Sequence, residues 1–241
     1  MDAARAQVRR VAIVQSSYIP WKGYFDLINL ADELILLDSV QFTRRDWRNR
    51  NRIKTPQGVR WLTIPVTSKG RFHQRIDAVE VEDPAWAERH WRTLVQHYAG
   101  AAGFSAVRER VEPLFLEGER TRLTEINRHL LAGVCELLGI DTPITRDTDY
   151  ELRGKRDERL LSLCLQAGAT HYLSGPAARS YLDEERFAEH EIQVEWMDYS
   201  GYPRYPQLHP PFEHGVSVLD LLFNTGDEAP SYMKSFGARD A

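Results

Sequence analysis

The sequence predicts an α/β fold: a mostly parallel, Rossmann-like sheet with a β-hairpin excursion and a helical insertion. Three observations carry that prediction. The run Val11-Ala12-Ile13-Val14 is continuously apolar and largely β-branched, then stops abruptly at polar residues, as a strand covered on both faces does. An amphipathic segment, Gly23–Asp32, follows with Phe25, Leu27, Ile28 and Leu30 as its apolar stripe, and leads into a second apolar run, Glu33–Asp38. That β-α-β spacing implies a right-handed crossover. Finally, helical and strand patterns alternate through the second half of the chain.

The elements follow in order. Residues 41–66 read as two strands joined by Thr55-Pro56-Gln57-Gly58, a type I turn with proline second and glycine fourth. Alternation in the second strand puts Trp61 and Thr63 on one face and Leu62 and Ile64 on the other. Ser68-Lys69-Gly70-Arg71 reads as an exposed loop and Ile76–Val81 as a further short strand. Asp83-Pro84 is an N-cap and first-turn pair for a helix over Ala85–Tyr98. A second helix is expected over Ser105–Glu117, and a third from Thr121 through Leu138, closed by Gly139. A strand starts at Ile144, and a helix over Lys155–Gln166 ends before Gly168. The strand Thr170–Leu173 runs into Ser174-Gly175-Pro176, Phe187–His190 closes a helix, and Ile192–Trp196 is a strand with Val194 inward. Ser217 is an N-cap and Gly226 a terminator for the last helix.

With 241 residues, no repeat, no low-complexity segment and no clean linker, the chain reads as one α/β domain over 1–241. Residues 1–10 form a polar lead-in and residues 83–143 the helical insertion. A formal net charge of −4 argues against general nucleic-acid binding. No run is long enough for a signal peptide or a membrane span. Cys135 and Cys164 sit in apolar helical patterns without a disulfide framework, so a reducing, cytoplasmic compartment is the default reading.

Two segments carry candidate chemistry. Gln15, Ser16 and Ser17 follow the first strand, where ligands collect in α/β proteins; Tyr18, Trp21 and Tyr24 read either as core or as walls of this loop, and Gly23 permits close backbone approach. Beyond the second strand, Arg44, Arg45, Arg48, Arg50, Arg52, Lys54 and Arg60 crowd into one segment with Asp46 as its only acid, and Trp47, Asn49 and Asn51 interleave with them. Arginine grips phosphate through paired hydrogen bonds, so the functional reading is a pocket for a nucleotide, a nucleotide-sugar, coenzyme A or a phosphopantetheine arm. The alternative is a solvated face whose arginines pair with acids elsewhere. Asp38 ends the second strand, as a functional carboxylate or as the cap of a turn. Ser174 and Gly175 lie at another strand end facing the same crevice. The eight histidines show no tight metal spacing, Cys164 reads as buried and inert, and no nucleophile elbow is present.

Taken together these segments resemble the WbqC-like family. The resemblance runs from Val11 to Gly226. It is carried by Gln15-Ser-Ser-Tyr-Ile-Pro-Trp-Lys-Gly-Tyr-Phe, Leu37-Asp-Ser-Val-Gln-Phe, Trp47-Arg-Asn-Arg-Asn-Arg-Ile-Lys, Trp61-Leu-Thr-Ile-Pro-Val, Tyr172-Leu-Ser-Gly and Ser217-Val-Leu-Asp-Leu-Leu-Phe-Asn-Thr-Gly. It implies biosynthetic chemistry in surface-polysaccharide or natural-product pathways, by transfer of an acyl or aminoacyl group from an activated thioester to an amine. One departure is plain: the family begins its first motif His-Gln-Pro, whereas this chain has Val14-Gln15-Ser16.

Under that reading Arg48, Arg50, Arg52 and Lys54 hold the phosphates of a coenzyme A or phosphopantetheine donor. Gln15, Ser16 and Asn51 orient the carbonyl or its oxyanion, and Asp38 accepts the amine's proton. Ser17, Tyr18, Trp21, Asn49, Ser174 and Gly175 complete the binding surface. No tightly bound cofactor is expected; the partners are a small amine acceptor and an acyl-carrier protein. Two further readings stay open. One is nucleotidyl or adenylyl transfer with Mg²⁺ at Asp38 or on phosphate alone, by fold-level analogy to the HIGH-motif class. The other is a non-catalytic accessory protein whose basic face docks an acidic carrier.

Overall fold

The computed structural model describes residues 8–237. Residues 1–7 of the expected lead-in lie outside the described residues, and the remainder of it is structural. Arg10 opens strand β1 (Arg10–Val14) and pairs with Glu195 at 2.8 Å, while Arg9 pairs with Glu33 at 2.8 Å. These arginines neutralise carboxylates on other strands of the sheet.

β1 is the centre of a five-stranded, wholly parallel sheet. On one side it pairs with β2 (Glu33–Leu36), which pairs with β5 (Ile144–Arg146); on the other it pairs with β6 (His171–Ser174), then β7 (Gln193–Trp196). Alternation along β1 explains its unbroken apolarity. Ala12 packs with Phe25 and Ile28 of α1 (Lys22–Leu30) on one face. Val11 and Ile13 pack on the other against Leu160, Leu161 and Cys164 of α5 (Asp157–Gln166) and Phe187 of α6 (Glu184–Ala188). Both faces are therefore buried, as a parallel sheet requires.

Between β2 and β5 the chain makes its two excursions. β3 (Arg50–Thr55) and β4 (Gly58–Thr63) form the antiparallel hairpin, with Leu62 and Ile64 buried and Trp61 and Thr63 exposed. Helices α2 (Trp86–Tyr98), α3 (Phe104–Leu116) and α4 (Leu123–Leu138) form the insertion, and α4 ends at Gly139 with φ 71°. The last helix, α7 (Val218–Thr225), returns to that layer, and Phe223 packs on Tyr98 and Phe104 at centroid distances of 5.2 and 5.1 Å.

Several boundaries differ from expectation. Ile76–Val81 is not a continuous strand: Ile76–Ala78 form a 3₁₀ turn, and only Glu80 and Val81 are extended, making single bridges to Arg122 and Val66. Asp83 caps the turn ahead of α2 by accepting from Ala85 N at 2.9 Å, and the helix itself begins at Trp86. α5 begins at Asp157 rather than Lys155, because Gly154 and Arg156 both take positive φ.

Candidate functional site

The chain runs outward from β1 through β2 to β5 on one side, then re-enters at β6 and runs to β7 on the other. The order therefore switches between β1 and β6, and parallel sheets open a crevice at the carboxyl ends of such a pair. A cavity of about 680 Å³ lies there. Its floor is apolar, from Ile13, Val14, Leu37 and Leu160; Gln15, Ser17, Ser174 and Gly175 bring polar groups from the two strand ends. Trp21, Tyr24, Tyr172 and Tyr181 add aromatic wall, and Trp47, Arg48, Asn51 and Arg52 come across from the segment leading into the hairpin.

Main-chain and side-chain bonds lock that segment onto the strand-end loop. Tyr18 N donates to Trp47 O at 3.0 Å. The Asn51 amide donates to Tyr18 O at 3.0 Å and Ile19 O at 2.9 Å, while its Oδ1 accepts from Arg52 N at 2.7 Å. Ile19 sits at φ 36°, a costly conformation for a β-branched residue, and the Asn51 amide holds its carbonyl there. Arg52 O accepts from Ser217 N at 2.8 Å and Pro20 O from Val218 N at 2.9 Å, so the start of α7 closes the same corner.

Two glycines make room for the walls. A Cβ on Gly23 would stand 2.4 Å from the Trp21 indole, which therefore lies back over the first turn of α1. A Cβ on Gly215 would stand 2.3 Å from Arg52 Nη2. Arg52 also lies 5.6 Å from the Trp47 ring centre and 6.0 Å from that of Trp61.

The electrostatics are one-sided. The wall includes two guanidinium groups and no carboxylate among the described residues. Arg48 is 12% exposed in its side chain and reaches Asp46 only at 4.0 Å; the buried Nε atoms of Arg48 and Arg52 have no hydrogen-bond partner. The Nε of Arg50 is likewise unpartnered, so what sets this wall apart is its charge: two guanidinium groups with no lining carboxylate favour an anion.

The structure thus brings together Gln15, Ser17, Trp21, Arg48, Asn51, Arg52, Ser174 and Gly175. The other expected site residues lie elsewhere, for physical reasons. Asp38 and Ser16 are buried beneath the loop. Asp38 accepts from Ser16 N at 2.9 Å through one oxygen and from Thr124 Oγ1 through the other, and Ser16 Oγ accepts from Asn127 at 3.0 Å. Burial pushes the Asp38 carboxyl up, opposed by the bonds from Thr124 and Ser16 and by the charge of Arg48. Asp38 lines the groove on the other side of the loop and not this cavity, so it is not presented here as a base. Tyr18 turns into the helical layer, where its hydroxyl meets His90 Nδ1 at 2.7 Å.

Strand geometry sorts the remaining polar residues. Arg50 and Lys54 do not line the cavity; each is held by partners elsewhere. Arg50 stacks on Trp61 at 4.1 Å on the outer face and donates to Arg45 O. Lys54 is buried and donates to Pro211 O at 2.6 Å; burial pushes the nearby Asp220 carboxyl up, opposed by bonds from Tyr205, Tyr98 and Gln207 and by the Lys54 charge. Asn49 points beneath the hairpin and donates to Ile64 O at 2.8 Å.

Sequence reasoning missed Gly215, which sits in no motif, and Asn127, which donates to Arg48 O at 2.9 Å. Asn127 did leave a signal: it lies four residues after Leu123 on the apolar stripe of α4, where a polar side chain needs a buried partner. A larger groove of about 1110 Å³ lies on the far side of Asp38, along α4 and β5. Its wall mixes seven acids with four arginines and a histidine, and it lacks the one-sided charge of the β1/β6 cavity.

The model of the WbqC-like protein family matches residues 15–232. This chain belongs to that family. The uncharacterized protein Rv1507c of Mycobacterium tuberculosis (strain ATCC 25618 / H37Rv) is 53% identical over 227 residues, which span 94% of this chain and 98% of that one. No solved structure matches. Against the WbqC-like motif, the position at which the resemblance implies histidine holds Val14, and its side chain is part of the cavity floor. The floor of this WbqC-like crevice is correspondingly apolar at the strand end.

Proposed function

We propose that this chain is an acyl or aminoacyl transferase that takes a phosphate-bearing thioester donor in the β1/β6 cavity and forms an amide on a small amine. The observation that carries the reading is the pair Arg48 and Arg52, each with an unpartnered buried Nε, on an acid-free wall at the sheet's switch point. These guanidinium groups bind donor phosphate. The thioester carbonyl then lies toward the strand ends, where the Ser17 and Ser174 hydroxyls and nearby main-chain N–H groups receive the oxyanion. The amine lone pair forms the C–N bond, the C–S bond breaks, and the thiolate takes the proton the nitrogen loses. With Asp38 committed below the loop, catalysis rests on holding the two reactants together, which is worth many kcal/mol when the geometry is right.

The family resemblance supports a biosynthetic setting in polysaccharide or natural-product assembly, in the cytoplasm, with the donor held transiently rather than as a resident cofactor. Among the described residues no helix is long and apolar enough to cross a membrane. The test is thiol release from acyl-coenzyme A and from acyl-carrier thioesters over a panel of amino sugars and amino acids. Arg52→Ala is expected to raise KM for the donor by tenfold or more. Pyrophosphate release from ATP with candidate acids, and no thiol release, would move the assignment to adenylyl transfer.

A further inference from the structure

Two wall residues of the cavity are large aromatics left open to solvent, Trp47 at 40% exposure and Tyr181 at 66%. They come from opposite sides of the crevice. Trp47 lies just ahead of β3, and Tyr181 ends the 3₁₀ turn Pro176–Ser180 that follows β6. Trp47 is nevertheless held firmly. Its ring packs on Trp61 at a centroid distance of 5.2 Å, and its carbonyl accepts from Tyr18 N. It also stands beside Arg48 and Arg52, the two cations of the cavity wall. A fixed indole next to two arginines matches the two ends of a nucleotide: a base stacks on the ring and phosphates take the arginines. A carrier-bound phosphopantetheine arm has one phosphodiester and no base, and would leave one guanidinium and the indole unused.

We propose that the ligand of this cavity carries a nucleoside diphosphate moiety, with its base stacked on Trp47 and its phosphates on Arg48 and Arg52. For the transferase reading, on which only the choice of donor rests, this selects free coenzyme A over a carrier-bound arm. Binding is measured by titration calorimetry with coenzyme A, ADP, a UDP-sugar, adenosine and phosphopantetheine. Coenzyme A or the UDP-sugar is expected to bind at least tenfold more tightly than phosphopantetheine, the two arms separating the sources of the diphosphate. Trp47→Ala should weaken the nucleotide ligand by roughly tenfold and leave phosphopantetheine unchanged, while Trp47→Phe, which keeps a ring, restores most of the loss. Equal affinity for coenzyme A and phosphopantetheine, no nucleotide binding, or a Trp47→Ala variant that binds as wild type overturns the proposal. The two readings separate cleanly. Coenzyme A bound through Trp47 with no thiol release from any thioester keeps this inference and removes the transferase. Thiol release from carrier thioesters, indifferent to Trp47→Ala, does the reverse.

Discussion

The atom that a Gly215→Ala methyl would meet, Arg52 Nη2, lies at the free end of a flexible side chain. The arginine can swing away at little cost to the fold, but it then leaves the cavity. Gly215→Ala is therefore expected to change stability by no more than about 0.5 kcal/mol while weakening anionic ligands by roughly tenfold, the worth of one charge-assisted bond. Calorimetric titration beside a melting curve reads both; unchanged affinity would show that Arg52 does not contact the ligand. Asp38 behaves oppositely. In Asp38→Asn the amide oxygen keeps the Ser16 N–H, while the new NH₂ faces the Thr124 hydroxyl and turns it from donor to acceptor, so the charge-assisted bond from Thr124 is lost. A loss of about 1–3 kcal/mol is expected, read from the urea midpoint. A variant with the native midpoint and no turnover would return Asp38 to the chemistry.

Between elements, the strand-end loop is held by side chains reaching from the hairpin and from α2. Asn51→Ala removes the donors to Tyr18 O and Ile19 O and releases the left-handed Ile19. It is expected to cost about 2 kcal/mol or more and to weaken ligand as well, because the loop and Arg52 move together. Native stability in that variant would mean that the loop is held by its own packing. From α2, His90 meets the Tyr18 hydroxyl. Burial pushes its imidazole down to about 4, against a bond to the Thr63 main chain that raises it. Its folded value is below its unfolded one, so its contribution is present above pH ~6.5 and is lost as pH falls through about 4. Wild type should therefore lose stability between those values more steeply than His90→Gln, with the difference read from urea midpoints at neutral and acidic pH. Parallel curves for the two proteins would assign acid sensitivity to other groups.

At the scale of the whole molecule, a chain of net charge −4 keeps an acid-free pocket with two arginines at its sheet edge. On the proposed reading, any attraction of this pocket for anions is local and screened by salt. As the Debye length falls from roughly 10 Å at 0.1 M to roughly 3 Å at 1 M, coenzyme A affinity should fall several-fold while the ligand-free melting temperature moves little. Salt-independent affinity would place the binding energy in stacking and apolar contact alone. The position of the pocket follows from topology. β1 has β2 on one side and β6 on the other, and the two halves of the chain diverge from that pair.

The sequence by itself determined the parallel sheet, the hairpin with its Trp61/Leu62 alternation, the helical insertion and the family. Each rests on local periodicity, on turn chemistry, or on motifs contiguous in the chain. It also marked Gln15, Ser17, Arg48, Asn51, Arg52, Ser174 and Gly175 as neighbours of a crevice, because strand ends and cationic runs are visible along one dimension. Only the tertiary structure decided which side of the loop each neighbour faces. Adjacent residues diverge there: Gln15 and Ser17 line the cavity while Ser16 hangs beneath it on Asp38, and Arg52 enters while Lys54 turns to Pro211. Nor does any local pattern announce that Gly215 leaves room for Arg52, or that Asn127 supports Arg48 from α4. Those choices depend on contacts between segments far apart in the chain, and sequence periodicity carries no information about which distant segment will be the partner.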